Sequence, residues 1–368
     1  MGRVGMLVAV FLAPLLSVAA RPAGAQELRG RVLEQGSEMP AAGAFLSLLD
    51  SAAGRADATL SAKDGAFALA GPGPGSYRVR IERIGYRTWT SDPIELAAGA
   101  AVSRTFVVPI QLVSLEKLSV RVGDQCQSSR GSGEGLLTLW TEAKKALRVT
   151  AWSEKGRLAL DVRRFERDLD PTTRQVVAQS SVSAVVRAHR AFTTLPADTL
   201  STRGYLRGDT LLAPDADVLL SPSFASDHCF GVDRSRRSSG LVGLAFRPVP
   251  GRAVPDVRGV LWVGRATAAL RTMDFTYTGL VFPRGADSAG GHLDFDRLSN
   301  GAWLVSNWRI RAPATRKSAD RAVVTGAWGM HRVRQDTAWK FTVYHVEGGE
   351  VVSAGLPGGR TVLLGPAG

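Results

Sequence analysis

The sequence predicts a mainly β protein: an amino-terminal seven-stranded antiparallel sandwich, then a carboxyl-terminal antiparallel, half-barrel-like sheet with one packed helix. Three observations predict it. Forty Gly and eighteen Pro are spread over 368 residues without a three-residue period, which implies many turns rather than a collagen or a helical bundle. Apolar residues alternate at period two in short runs bounded by turn signals. A helical apolar period stands out in one place, Leu136 to Leu147. With 45% hydrophobic and 21% charged residues the chain has ample material for packed cores, so a disordered or fibrous protein is excluded.

Residues 1–25 read as a signal peptide. Arg3 precedes an apolar run from Val4 to Ala20, interrupted by Pro14, and Ala23-Gly24-Ala25 has the small-x-small pattern of a signal peptidase site. Export with cleavage before Gln26 is the expectation, and the location is periplasmic or outer-envelope associated. The alternative is an uncleaved anchor, although the run falls short of the roughly 20 residues that span a bilayer. No Cys follows the leader closely, so lipid attachment is not expected, and no later stretch approaches spanning length.

Loss of Arg3 and Arg21 takes the net charge from +13 to +11. Most of the 46 basic residues are Arg, whose planar fork pairs with phosphate and carboxylate. For an exported chain an anionic surface, polysaccharide or an acidic envelope component is a more accessible counterpart than nucleic acid, which is not expected as a partner. The competing explanation is arginine scattered over outward strand faces, because only Arg234, Arg236 and Arg237 form a tight run.

The sandwich occupies residues 27–113. Leu28, Gly30 and Val32 open a strand, a turn with Pro40 follows, and Ala44, Leu46 and Leu48 share one face of the next strand. Asp64-Gly65 is a tight turn before Phe67 and Leu69. Pro72 to Gly75 break the chain again before Tyr77, Val79 and Ile81, and a last strand runs through Val102, Phe106 and Val108. Tyr77 and Tyr86 read as core aromatics with a wet hydroxyl rather than as ligand contacts. Gly30-x-Val32, Pro40 with Gly43-Ala44, Asp64-Gly65-x-Phe67-x-Leu69, Gly75-x-Tyr77-x-Val79 and Gly85-Tyr86 together resemble the carboxypeptidase regulatory-like domain, a prealbumin-like β-sandwich. The resemblance implies a fold and an extracytoplasmic setting, often at the amino terminus of envelope proteins. It implies no activity, since this module accompanies a catalytic domain and does not hold its zinc.

Residues 114–135, rich in Ser, Gly, Gln and Arg, read as a linker, and residues 136–368 as a β-rich domain with an amino-terminal helix. Leu136, Leu139, Trp140, Ala143 and Leu147 form the apolar stripe of about three turns, with Glu142, Lys144 and Lys145 expected outside. About ten strands follow, near 158–165, 176–186, 203–206, 241–246, 257–263, 270–277, 291–295, 303–310, 322–333 and 339–345. A meander of this kind would curl around the helix. Gly259 to Val263, the turn Gly264 to Ala268 and Leu270 to Tyr277 resemble a hairpin of the lipoprotein-carrier half-barrels of the periplasm. With Ser221, His228-Cys229-Phe230, Gly243 to Phe246 and Gly301-Ala302-Trp303, the region looks like the carboxyl-terminal part of uncharacterised envelope proteins.

Cys126 and Cys229 are the two cysteines, and an oxidising compartment makes a structural disulfide the expectation. It would close a loop of about 100 residues and contribute roughly 4 to 5 kcal/mol on the chain-entropy model. The rival is a reactive thiol at Cys229 beside Asp227 and His228, disfavoured because adjacent residues of an extended segment point to opposite faces.

No catalytic signature rises from the sequence. His189, His228, His292, His331 and His345 begin no zinc motif, although His331 could meet His345 and Glu347 across a hairpin. A G-x-S-x-G elbow is missing, and the glycine runs 71–75 and 131–135 fail phosphate-loop spacing. The carboxylate pairs Asp168/Asp170, Asp215/Asp217 and Asp294/Asp296 sit at i and i+2, a spacing compatible with calcium or glycoside cleavage but common in any β protein. No catalytic residue, cofactor or metal site is therefore expected. The expected function is that of an exported, non-enzymatic envelope protein with a binding or interaction role. An apolar ligand or lipidated partner would lie in a pocket lined by Leu136, Trp140, Trp262 and Trp303, between helix and sheet. The alternative is a hydrolase whose site assembles from residues distant in sequence.

Overall fold

The computed structural model describes residues 26–113, 115, 134–156, 158–282, 284–286, 288–325, 331–355 and 362–363. The expected leader and Cys126 lie outside these residues, as does the linker apart from Leu115, Glu134 and Gly135.

Turn chemistry and period-two patterning fold residues 26–108 into two facing sheets. One contains β1 (Gln26–Glu34), β4 (Ala66–Gly71) and β8 (Ala101–Val108). The other contains β2 (Phe45–Leu49), β3 (Arg55–Leu60), β5 (Gly75–Glu82), β6 (Trp89–Thr90) and β7 (Ile94–Leu96). Eight strands thus replace the expected seven, and one ladder is parallel: β1 runs alongside β8, with Leu28 opposite Val102 and Val32 opposite Phe106. The chain between them crosses through the second sheet, which supplies the long connection that parallel pairing needs. Leu28, Val32, Leu46, Leu48, Phe67, Leu69, Val79 and Ile81 fill the space between the sheets. Gly65 takes φ +78° in the Asp64-Gly65 turn, and the Asp64 carboxylate accepts the Ala66 N–H at 3.1 Å.

Strand β2 departs from simple alternation, because all five of its residues are buried. Leu46 and Leu48 face the sandwich interior, while Phe45 belongs to the core of the carboxyl-terminal region. The two expected domains therefore share a packed boundary.

Helix α1 (Glu134–Ser153) forms where the 3.6-residue period lies, but runs 20 residues rather than three turns. Leu139, Ala143, Ala146 and Leu147 are fully buried, each leucine contributing roughly 1.5 to 3 kcal/mol by area. Glu142 and Lys145, expected outside, are each only 2% exposed. Their helix face is covered by the sandwich loop at Arg83–Tyr86. The Gly85 N–H donates to Glu142 Oε2 at 3.0 Å, and Lys145 Nζ donates to Glu142 Oε1 at 2.7 Å and to the Tyr86 carbonyl. Lys144 alone keeps the outward position, its ammonium 4.7 Å from the Trp140 ring centre.

The large sheet contains β9 (Ala159–Leu169), β10 (Val176–Ala188), β13 (His228–Asp233), β14 (Leu241–Pro248), β15 (Asp256–Gly264), β16 (Leu270–Thr278), β17 (Gly290–Arg297), β18 (Trp303–Thr325) and β19 (His331–Gly355). β11 (Leu206–Arg207) and β12 (Thr210–Leu211) form a separate hairpin, and β20 (Val362–Leu363) joins β19. The order in the large sheet is β10-β9-β19-β18-β17-β16-β15-β14-β13, open and not closed into a barrel. One face packs on α1, which touches β14, β15, β16 and β18. From Ala314 and Val343 outward, β18 and β19 pair with each other and with no third strand among the described residues.

Three short helices join α1 where one helix was expected: α2 (Ala197–Arg203), α3 (Ala216–Leu220) and α4 (Pro222–Asp227). They are too short for a periodicity; α3 and α4 are set by side-chain caps, whereas α2 has none at its start and ends at Gly204, φ +78°, whose N–H donates to the Leu200 carbonyl. The Asp215 carboxylate accepts the Val218 N–H at 2.9 Å, and Ser221 Oγ accepts the Phe224 N–H at 3.0 Å ahead of Pro222 at the first helical position. The expected strand 203–206 is accordingly the end of α2 followed by the start of β11. The expected strand 322–333 spans the end of β18, residues outside the description and the start of β19. Among the described residues no helix is long and apolar enough to cross a membrane.

Candidate functional site

Alternation puts Met273, Phe275, Leu293, Phe295 and Trp308 on the helix side of the large sheet, so their neighbours populate the opposite, outer face. Register then sets Asp274 beside His292, His292 beside Arg309, Arg309 beside Gly348, and Gly348 beside Phe165. A flanking row carries Thr276, Gly290, Arg311, Val346 and Arg167, and another carries Asp294, Asn307 and Glu350. All of these but Asp294 and Gly348 line a groove of about 570 Å³ that crosses β9, β19, β18, β17 and β16. Gly290, on the outer face beside Thr276, lays bare its floor, whereas Gly291 faces the helix side beside Phe275. A Cβ on Gly291 would lie 2.4 Å from the Phe275 ring, and one on Gly290 would lie 2.4 Å from the Phe275 carbonyl.

The charges on this face are unequally matched. His292 hydrogen-bonds Asp274 through Nδ1 and Asp294 through Nε2, the latter at 2.9 Å. The hydrogen bonds to Asp274 and then Asp294 push its imidazole up to about 9. It is therefore a cation at neutral pH, and with both nitrogens donating it offers no lone pair to a metal. Burial works to raise the Asp274 carboxyl, yet His292 and Arg236 hold it below the usual carboxylate range. Arg236 lies 3.0 Å from Asp274 and 4.8 Å above the Trp262 ring, and Trp262 Nε1 donates to Asp274 at 3.0 Å. Glu350 pairs with Arg163 at 2.7 Å. Each groove carboxylate thus has its own cation. Arg309 and Arg167, by contrast, have no acidic partner among the described residues; Arg167 lies 4.2 Å above the Phe165 ring, and its Nε is buried without a hydrogen bond. Arg311 donates to Ser288 at 3.0 Å.

The four expected pocket residues take different places among the described residues. Leu136 and Trp303 are buried in the core shared by α1 and the sheet, and Trp140 lies tilted against Phe230 with ring centres 4.9 Å apart. Trp262 is on the outer face instead. The groove just described is lined by none of the four. Cys229 lies on β13, largely buried. His228 does not turn to it: Nδ1 meets the Phe224 carbonyl at 3.0 Å, and Nε2 meets the Val257 carbonyl and the Asp256 carboxylate at 3.1 Å. Asp227 accepts Ser201 Oγ at 2.6 Å and pairs with Arg252 at 3.0 Å.

The carboxylate pairs are likewise engaged locally. Asp168 meets His345 at 2.9 Å, Asp170 accepts the Thr172 and Thr173 N–H groups, and Asp215 and Asp217 share Arg190. His331 and His345 occupy distant positions of one strand, opposite Thr325 and Ala312, so they do not meet. Two sites escaped sequence reasoning. Asp274, His292 and Arg309 are joined only by cross-strand register; the faint signal was His292-x-Asp294 and Arg309-x-Arg311 at period two. The other is Glu154, buried beside Asp215, whose carboxyl burial pushes up to about 8.

Residues 27–109 match the carboxypeptidase regulatory-like domain, as the five amino-terminal elements indicated. No curated protein matches the chain. Among solved structures, fervidolysin from Fervidobacterium pennivorans, a keratinolytic enzyme related to subtilisin, is 10% identical at a TM-score of 0.19, with 81% of this chain and 31% of that one covered. The chain thus spans about a third of the length of that protein. A Bacteroides uniformis protein to which carbohydrate binding has been ascribed is 10% identical at a TM-score of 0.19, over 69% of this chain and 98% of that one. The Bacillus anthracis TIE protein is 8% identical at 0.21, over 87% and 48%. Similarities this slight carry no argument.

Proposed function

We propose that this is an exported, non-catalytic binding protein of the cell envelope, with the outer-face groove as its recognition surface and an extended anion, such as an acidic polysaccharide, as its ligand. The observation that carries the reading is the charge mismatch. Asp274, Asp294 and Glu350 are each paired, while Arg309 and Arg167 on the same face have no acidic partner among the described residues. The groove lies open along a sheet face, a shape suited to an extended chain rather than to a small enclosed ligand.

A binding role without chemistry is supported by how the reactive types are spent. His292 uses both ring nitrogens on carboxylates, His228 uses both on its surroundings, and Ser201 donates to Asp227 rather than to a histidine. Export rests on the Arg3 to Ala25 pattern, and a Cys126–Cys229 disulfide on the presence of two cysteines in an exported chain with Cys229 largely buried. A thiol assay on the denatured protein expects reactive groups only after reduction.

The test of the groove is calorimetric titration of the mature protein with oligogalacturonate at low salt. Arg309→Gln is expected to weaken binding about fivefold, and Arg207→Gln on β11, outside the groove, to leave it unchanged. Equal binding by both variants would remove the groove from the account.

A further inference from the structure

A second cavity, of about 720 Å³, lies where the sandwich meets the large sheet. Its walls come from the segment before β2 (Ala42, Gly43), from the end of β3 and the turn after it (Thr59 to Lys63), from Trp152 at the end of α1, and from the β17–β18 turn (Arg297 to Asn300). Fixed contacts bound it on two sides. On one side the backbones touch: Gly43 and Gly301 have φ of +65° and +90°, and a Cβ on Gly301 would sit 2.6 Å from the Gly43 Cα. On the other, Trp152 Nε1 donates to the Ala58 carbonyl at 3.0 Å, and its ring meets Phe45 edge-on at 5.8 Å. The bowl is therefore preformed by the packing of the two regions.

Its chemistry is divided. Leu60, Trp152, Leu298 and Ala302 give an apolar floor, whereas Lys63 and Arg297 stand exposed at the lip. Neither cation has an acidic partner among the described residues. Arg297 is close to a second cation, Arg83, which is itself occupied by Glu34. An apolar floor beside unmatched positive charge suits a molecule with an apolar body and one anionic head.

We infer that this junction bowl is a binding site for a free, single-headed anionic amphiphile, its body on Trp152 and Leu298 and its head between Lys63 and Arg297. The site is separate from the outer-face groove and does not depend on that groove's ligand.

The experiment uses the full mature protein with 8-anilinonaphthalene-1-sulfonate, an aromatic anion that brightens when its body leaves water. Saturable binding is expected, weakened about fivefold to tenfold in Lys63→Gln/Arg297→Gln and unchanged in Arg309→Gln. Both substituted side chains are exposed, and an unchanged urea midpoint verifies that the variant folds. N-phenyl-1-naphthylamine, the uncharged counterpart, should bind equally to wild type and double variant. Decanoate should displace the dye, and phosphatidylglycerol vesicles should not. Dye binding unaffected by the double variant, lost instead in Arg309→Gln, or displaced by vesicles but not by decanoate would overturn the assignment.

Discussion

Replacing Lys145 by Met tests whether α1 joins the sandwich to the large sheet. Both members of the Glu142–Lys145 pair are 2% exposed. Burial pushes the Glu142 carboxyl up, and the Lys145 ammonium and the Gly85 N–H only partly offset it. Met fills the space of the lysine stem but removes the donor that serves Glu142 and the carbonyls of Tyr86 and, at 3.4 Å, Arg83. Removing one partner of a buried ion pair costs about 3 to 5 kcal/mol, much of it for the charge left behind. Equilibrium urea unfolding followed by tryptophan fluorescence should show that loss. The double variant Glu142→Gln/Lys145→Met should recover about 2 kcal/mol, because the stranded carboxylate is gone. A single variant within about 1 kcal/mol of wild type, or no recovery in the double, would refute the buried junction.

Two pH dependences follow from displaced titrations. Glu154 has a folded value of about 8 against 4.5, so the folded state holds a proton the unfolded chain has lost, and stability falls as pH rises from about 4.5 to about 8. The loss is on the order of 3 to 5 kcal/mol, and Glu154→Gln should flatten that part of a stability profile measured by urea unfolding; an unchanged slope would contradict the burial. His292, at about 9 against 6.5, contributes stability that is complete below about 6.5 and is lost as pH passes 9. With part of the ring in solvent, about 2 kcal/mol is expected, and His292→Asn should lower stability at pH 6 while matching wild type at pH 10; a nuclear magnetic resonance titration of the ring near 6.5 would refute the pairing.

The elements that announce themselves locally were legible in the sequence. Asp64-Gly65 forms its turn, Leu136 to Leu147 form the buried stripe of α1, and residues 257–263 and 270–277 pair as a hairpin. What sequence could not supply was a partner across space. Glu142 and Lys145 have the composition of a solvated helix face, and only the Arg83–Tyr86 loop makes it an interior. Trp262 reads as pocket lining until register places it under Arg236. The groove depends on which of five strands lie side by side, and Asp274, His292, Arg309 and Phe165 lie up to 144 positions apart in the chain. Helices α3 and α4 leave only capping traces, Asp215 and Ser221-Pro222, that no periodicity reinforces.

The salt dependence of oligogalacturonate binding tests the charge mismatch most directly. Each arginine that neutralises an anionic group releases counterions, so affinity falls with ionic strength in proportion to the number of such contacts. For wild type against Arg167→Gln/Arg309→Gln, the slope of log affinity on log salt should shrink by between one and two, with weaker binding throughout. Identical slopes and affinities in the two proteins would contradict an anion-recognising outer face.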